Sequence, residues 1–251
     1  MLPARVDRSV LLSALRARRL DRTLTSALPG IDPHDEQAVG LTGLPALDAR
    51  LGGGLPRGQL SEVVGPRSSG RTSLLLQIVA TATTRGDLVA VVDALDMLDV
   101  ESAAAAGIDL DRLLWIRGHV VVNQGLCREL NQRAIEQAIR AFTLVLQAGN
   151  FGLVVFDVAE APADAVRRLP FTTWLRLQRM VEGSQTACLL LGGEPMARSS
   201  AGLTLRLGLR AEGSGLNFDA HLFNGLDLEA RIVRARAREQ EEACVALSTS
   251  A

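Results

Sequence analysis

Five short, nearly continuous apolar runs are spaced along the middle of the chain, and each predicts a buried β-strand. They are residues 60–64, 88–92, 113–116, 153–156 and 187–191. Stretches with helical periodicity lie between them, at residues 72–84, 123–147 and 172–182. Strands that are apolar on both faces and alternate with helices are typical of a parallel sheet covered on both sides. The pattern therefore predicts an α/β core with a mainly parallel central sheet flanked by helices.

The periodicity changes after residue 200. Leucines at 203, 205, 207 and 209 alternate with polar or small residues, and residues 228–237 alternate less cleanly. Alternation with a period of two is typical of antiparallel strands that have one wet face. We expect C-terminal antiparallel strands that extend the sheet. The small and polar residues that follow Ala237 predict a flexible tail over 238–251.

The N-terminal segment has a different pattern. Residues 5–25 show helical spacing of apolar side chains with arginines over much of the remainder. Residues 29–40 are rich in turn formers and predict a linker. The predicted organisation is an amphipathic helical arm at 1–28, the linker, and a core at 41–237. The arm predicts a partner-docking helix whose candidate contacts are Val6, Val10, Leu11, Leu15, Arg16 and Arg19.

Composition narrows the class of protein. The 251 residues are 47% hydrophobic, and the 27 basic residues, all arginine, nearly balance 28 acidic ones. A net charge of −1 gives no global reason to expect nucleic acid. Three dispersed cysteines and three dispersed histidines predict neither a disulfide framework nor a metal site. No apolar run reaches the ~20 residues of a membrane helix, so we expect a cytoplasmic protein without a membrane contact.

Residues 65–72 have the spacing of a phosphate-binding loop. In such a loop the backbone N–H groups cradle phosphates, a lysine reaches the β- and γ-phosphates, and a hydroxyl holds Mg²⁺. Arg71 stands at the lysine position, and guanidinium is larger and planar, so the change is not conservative. The predicted degenerate nucleotide-binding loop is Gly65, Pro66, Arg67, Ser68, Ser69, Gly70, Arg71 and Thr72.

A series of segments resembles the RecA recombinase core in the same order along the chain. The segments are residues 42–82, which include the TG…LD…GGLP lead-in and the loop, then 91–99, 107–114 and 153–157. The resemblance covers about residues 42–192 and implies a RecA-like P-loop fold. It also implies that Asp157 is a remnant of the Walker B aspartate, which would help to hold Mg²⁺.

Departures from that family's pattern predict the loss of catalysis. The family's general base is the glutamate of an Asp-Ala-Glu run, and this sequence reads Asp93, Ala94, Leu95, so Leu95 occupies the lost base position. Residues 192–195 replace the family's Asn-Gln, and the DNA-binding loops are short. We expect a pseudo-ATPase with no catalytic residue and no cofactor. ATP or ADP with Mg²⁺, held by backbone amides, Ser69 and Thr72, is the other interpretation of the loop.

The overall layout is similar to the ImuA family, which are RecA-like (SulA-like) accessory proteins. That resemblance implies a non-catalytic role in DNA-damage-induced (SOS) mutagenesis and translesion synthesis. It implies RecA and ImuB-like error-prone polymerase components as partners, and leaves direct DNA contact open. Two alternatives stand beside it. One is a low-rate ATP-binding switch or ATPase that uses Arg71 and Asp96, and the other is a RecA-like cell-division inhibitor.

Overall fold

The computed structural model describes residues 39–118, 128–198, 201–209, 216–219, 222–235 and 244–249. The N-terminal part of this region contains β1 (Val39–Gly40), α1 (Pro45–Leu51), β2 (Leu55–Pro56), β3 (Leu60–Val64), α2 (Arg71–Thr84), β4 (Val89–Asp93), α3 (Val100–Ala105) and β5 (Leu113–Arg117). The remainder contains α4 (Arg128–Ala148), β6 (Leu153–Asp157), α5 (Ala163–Arg167), α6 (Phe171–Val181), β7 (Ala187–Gly192), β8 (Ala201–Leu209), β9 (Leu216–Asp219), β10 (Leu222–Ala235) and β11 (Cys244–Thr249). The predicted arm, including Val6, Val10, Leu11, Leu15, Arg16 and Arg19, lies outside the described residues.

Nine of the described strands form one mixed sheet in the order β11-β10-β8-β3-β7-β6-β4-β5, with β9 paired to β10. The pairs from β5 to β8 along this order are all parallel, and β10 is antiparallel to β8, β9 and β11. The parallel core and its antiparallel extension confirm both predictions made from the hydrophobic pattern. The carboxyl ends of β3, β4, β6 and β7 meet along one edge of the parallel sheet, where ligands bind in such folds.

The sheet separates two apolar layers because successive side chains on a strand point to opposite faces. Val91, Val155 and Leu189 face the layer that contains α2. Val92 and Phe156, next along their strands, face the layer that contains α4 and α6. This burial on both faces explains why the central strands are apolar runs with little alternation.

The Thr-Gly lead-in before the phosphate loop has a structural explanation. The Asp48 carboxylate accepts hydrogen bonds from the Thr42 backbone N–H at 2.9 Å and from the Thr42 hydroxyl at 2.7 Å. Both residues are buried, so this pair fixes the turn that leads into α1. The motif therefore holds the N-terminal edge of the core and does not contribute to the phosphate loop.

Two predicted boundaries need correction. We predicted a flexible tail after Ala237, but Cys244–Thr249 forms β11 and pairs with β10 from Leu226 to Arg231. Unpaired backbone groups on the long edge of β10 explain this, since a strand edge is a template for further pairing. Val39–Gly40, assigned to the linker, pairs with Leu55–Pro56 and belongs to the core.

Candidate phosphate-loop site

The predicted loop lies between β3 and α2, at the carboxyl edge of the sheet. Gly70 has a φ of 82°, and it precedes the first turn of α2, where Leu74 N–H donates to its carbonyl at 2.9 Å. Gly65 has no room for a side chain, because a Cβ there would lie 2.6 Å from the Leu207 carbonyl oxygen. Both glycines are required by backbone geometry, so the loop retains the shape of a phosphate cradle.

The two hydroxyl side chains of the loop differ in accessibility. Ser69 is 1% exposed, and its side chain packs beneath Gly65. Thr72, in the first turn of α2, is exposed. Of the two predicted hydroxyl ligands, only Thr72 faces solvent, at the helix N-terminus. Ser69 is directed into the protein. The backbone and Thr72 fit a phosphate with Mg²⁺, and Ser69 does not fit as a surface ligand.

Arg71 is held by the segment that follows β6. It is 5% exposed, and its guanidinium donates to the Ala159 carbonyl and to a Glu160 carboxylate oxygen, both at 3.0 Å. The second oxygen of Glu160 pairs with the exposed Arg67 at 2.6 Å. One carboxylate thus holds both arginines of the loop, and we name Arg67, Glu160 and Arg71 the Glu160 bridge. In this arrangement both loop cations are already paired with a carboxylate.

Asp157 ends β6 beside this bridge. Its carboxylate accepts a hydrogen bond from Ala159 N–H at 2.8 Å. Burial raises the pKa of Asp157 to about 6, with a further contribution from the nearby Asp93, although the Ala159 hydrogen bond and Arg71 act in the opposite direction. The carboxyl group at the Walker B position therefore loses its proton at a higher pH than an ordinary aspartate.

The position of the missing base is apolar. Leu95 follows β4 and is 3% exposed, packed in the layer that also contains Phe156. Asp93, at the end of β4, is also buried, and its carboxylate accepts from Leu98 N–H at 2.8 Å and from the Trp115 indole N–H at 3.3 Å. The Leu95 side chain cannot accept a proton, and both hydrogen bonds to Asp93 reach its Oδ2 atom.

Asp96, the alternative candidate for a base, belongs to a different cluster. It has a φ of 58° and receives two hydrogen bonds from Arg117 on β5, at 2.7 and 2.8 Å. The hydrogen bonds from Arg117 hold the pKa of Asp96 below its usual value. Arg117 also stacks over the Trp115 ring at 4.6 Å. A carboxylate that is paired in this way and has a lowered pKa is a poor proton acceptor.

A profile of the RecA N-terminal domain matches residues 30–161, which is more than half of the chain. The chain belongs to the RecA family. Protein RecA of Clavibacter michiganensis subsp. michiganensis is 39% identical over 133 residues, which are 53% of this chain and 33% of that protein. Protein RecA of Salinispora tropica is 41% identical over 133 residues, 53% of this chain and 34% of that protein. The chain thus spans about a third of the length of the relatives it matches.

A solved structure supports the fold. The crystal structure of the RadB recombinase superposes with a TM-score of 0.56 and 20% identity, covering 83% of this chain and 94% of that one. At this identity the similarity concerns the fold alone. It extends well beyond the profile match, and it confirms the predicted RecA-like α/β fold.

The RecA-like core also contains two carboxylates that the sequence analysis did not single out. Glu62, within β3, is 1% exposed and accepts from Met196 N–H at 2.8 Å, Ala197 N–H at 2.6 Å and the Thr204 hydroxyl at 3.0 Å. An acidic residue in a mostly apolar strand could have indicated in the sequence that Glu62 is a buried carboxylate with hydrogen-bond donors around it. Glu160 had a weaker signal, as an acidic residue three positions after the Walker B aspartate.

Other site types are not found among the described residues of this RecA-family chain. The described part contains no group of three or more His, Cys, Asp or Glu side chains placed to hold a metal ion. None of its helices is long and apolar enough to cross a membrane. Cys188 is a free thiol buried on β7, and burial raises its pKa, so it remains a thiol.

Proposed function

We propose that this chain is a non-catalytic RecA-like accessory protein of DNA-damage-induced mutagenesis. It acts in the cytoplasm through contacts with RecA, with a lesion-bypass polymerase complex, or with both. The observation that carries the proposal is the Glu160 bridge, because it occupies the arginine that stands at the phosphate-binding lysine position. Nucleotide binding and turnover are then dispensable, and the RecA-like core serves as a binding surface.

The base position gives independent support. Hydrolysis in RecA-like enzymes needs a carboxylate that orients and deprotonates water. Leu95 is buried in the core, and Asp96 is paired with Arg117. A return to catalysis would therefore require changes at two separate places, the loop cation and the end of β4.

A thermal-shift titration of the full chain with ATP or ADP and Mg²⁺ tests the nucleotide half of the proposal. A ligand that binds the folded state selectively must raise the melting temperature. We expect no shift at millimolar nucleotide. Turnover that disappears in Thr72→Ala and Asp157→Ala would contradict the proposal and establish the ATPase alternative.

Binding of the full chain to RecA assembled on single-stranded DNA tests the partner half. We expect direct binding and a change in RecA-promoted strand exchange. Leu11→Asp with Leu15→Asp, on the apolar side of the predicted arm, should abolish binding, and Ser13→Asp in the same segment is the matched control. Absence of binding to both RecA and the polymerase components would remove the proposal.

A further inference from the structure

A cavity of about 200 Å³ lies at the carboxyl ends of β6 and β7, next to the phosphate loop. Apolar side chains, including Val158, Ala161, Phe171, Trp174 and Met196, line it together with polar groups. Concave sites that combine apolar side chains with a few polar groups are the usual form of a binding pocket. None of the residues of the Glu160 bridge lines it.

The pocket is built on the packed core and does not depend on an isolated loop. The Trp174 ring is 2% exposed and meets the Phe156 ring edge-on, with centroids 6.4 Å apart. The Met196 backbone is fixed to the core, because its N–H donates a hydrogen bond to the buried Glu62 carboxylate. These contacts fix the pocket in shape, so an occupant would meet a preorganised surface.

The rim of the pocket carries a local positive charge. Arg167 and Arg198 both line it, are exposed, and form no ion pair with another described residue. Glu194 also lies on the rim, but Arg206 offsets its charge with a salt bridge of 3.1 Å. An occupant with an apolar group and flanking negative charge is complementary to this surface.

We propose that this pocket binds an acidic peptide segment of a partner protein, with one bulky apolar side chain inserted between Arg167 and Arg198. A small concave pocket with apolar side chains in its wall suits a single anchoring side chain, which is the usual centre of a peptide contact. Single-stranded nucleic acid suits it less. Bases stack on exposed aromatic faces along a cationic groove, and here the Trp174 ring is buried.

The pocket shares a wall with the phosphate loop. In the segment 158–161, Val158 and Ala161 line the pocket. The two residues between them, Ala159 and Glu160, contact Arg71 on the other side. A peptide in the pocket would thus contact the segment that holds the Glu160 bridge. The inference rests on the proposed function, since it assigns a surface and a partner chemistry to a binding protein.

Selection of a displayed random peptide library on the full-length chain tests the proposal. We expect the enriched sequences to share a bulky apolar residue flanked by Asp or Glu. Binding is then measured with synthetic copies of these peptides in a Trp115→Phe background. Trp115 and Trp174 are the two tryptophans of the chain, so this background leaves Trp174, in the pocket wall, as the fluorescent reporter.

Two kinds of variant link binding to the pocket. Ala161→Leu fills it, and Arg167→Glu with Arg198→Glu reverses the rim charge without changing buried residues. Each should weaken peptide binding by about tenfold or more. Arg179→Glu, an exposed arginine of α6 that does not line the pocket, should leave binding within about twofold. Thermal melting of each variant identifies any that fails to fold, and the rim variant keeps the test valid if Ala161→Leu does.

The outcomes separate this inference from the proposed function. Enriched peptides that bind the pocket variants as well as the wild type, or that carry basic flanks, would overturn the inference. So would a thymidine oligonucleotide that binds in competition with the peptides and loses affinity in the same variants, because the site would then be a nucleic-acid site. Pocket-dependent peptide binding by a chain that fails to bind RecA and polymerase components would instead remove the proposed function and leave the pocket assignment.

Discussion

The guanidinium of Arg71 donates to the carboxylate of Glu160 at 3.0 Å, so the first residue of α2 is tied to the loop that follows β6. Glu160 thus supplies, from the chain itself, the negative charge that pairs with Arg71. A bound nucleotide would otherwise supply that charge through its phosphates. Charge in the loop is therefore already compensated. The phosphates of a ligand would have to displace the Glu160 carboxylate, a competitor that belongs to the same chain.

Removal of that competitor is the sharpest test of the site. In Glu160→Gln we expect the unfolding free energy to fall by about 1–3 kcal/mol, because the nearly buried Arg71 loses its charged partner. Inorganic phosphate or ATP at millimolar concentration should then raise the melting temperature of the variant more than that of the wild type. Both quantities follow from urea titration and thermal shift.

Glu101→Gln, an exposed change in the first turn of α3, is the control for the loss of a carboxylate. It should leave both readouts at the wild-type value. A wild-type protein whose melting temperature rises with phosphate as much as that of Glu160→Gln would show that the bridge does not compete with anions.

Leu95→Glu tests whether the base can simply be restored. We expect loss of more than about 3 kcal/mol of unfolding free energy, because the new carboxylate would enter an apolar layer without a partner. We expect no ATP turnover, even combined with Arg71→Lys. The matched change Leu95→Met keeps volume and polarity and should cost under about 1.5 kcal/mol. A stable Leu95→Glu protein that hydrolyses ATP would refute the interpretation of Leu95.

Asp157 should make stability depend on pH. Its pKa is raised to about 6 in the folded state, against about 3.9 for an unfolded chain. The stabilisation that comes from the protonated form is complete below the unfolded pKa and is lost as pH rises through the folded one. Asp157→Asn cannot ionise, so its stability relative to the wild type should increase between about pH 4.5 and about pH 7.5, by about 2 kcal/mol.

Urea denaturation of both proteins at the two pH values measures this difference. Asp111→Asn, an exposed change in the turn before β5, is the control for the change of side chain. A relative stability of Asp157→Asn that stays constant, or falls, as pH rises would show that the carboxyl is not desolvated.

Glu62 should be among the most sensitive positions of the core. Glu62→Ala leaves the Met196 and Ala197 N–H groups buried without an acceptor, and we expect a loss of about 3–5 kcal/mol of unfolding free energy. Thr204→Val removes one of the three hydrogen bonds at nearly constant volume and should cost about 1–2 kcal/mol. Chemical denaturation ranks the two variants, and equal costs would mean that the backbone N–H groups find other acceptors.

The fold could be predicted from the sequence because the hydrophobic pattern and the motifs indicated the same architecture. Apolar runs without alternation predicted strands buried on both faces, and Val91 and Val92 show why, since they pack into opposite layers. The loop at 65–72 connects β3 to α2, Leu95 follows β4 and Asp157 ends β6. Each depends on local spacing at the end of a strand, which the chain specifies directly.

Contacts between distant segments were not predicted. Glu160 is 89 residues from Arg71, and Glu62 is 134 residues from Met196. Nothing local to either glutamate specifies its partner, because the pairing depends on which strands become neighbours in the sheet. The predicted flexible tail failed for the same reason, since β11 is defined by the exposed edge of β10 and less by its own residues.

The position of β3 in the sheet has a consequence for synthesis of the chain. Leu60 pairs with Cys188 on one side and with Ala201 on the other, so the strand that carries the phosphate loop is flanked only by segments made more than a hundred residues later. Such non-local pairing slows folding, because a long loop must close before any contact forms. A nascent chain would hold this hydrophobic strand unpaired for most of its time on the ribosome, and chaperone contacts with it should persist until β7 and β8 emerge.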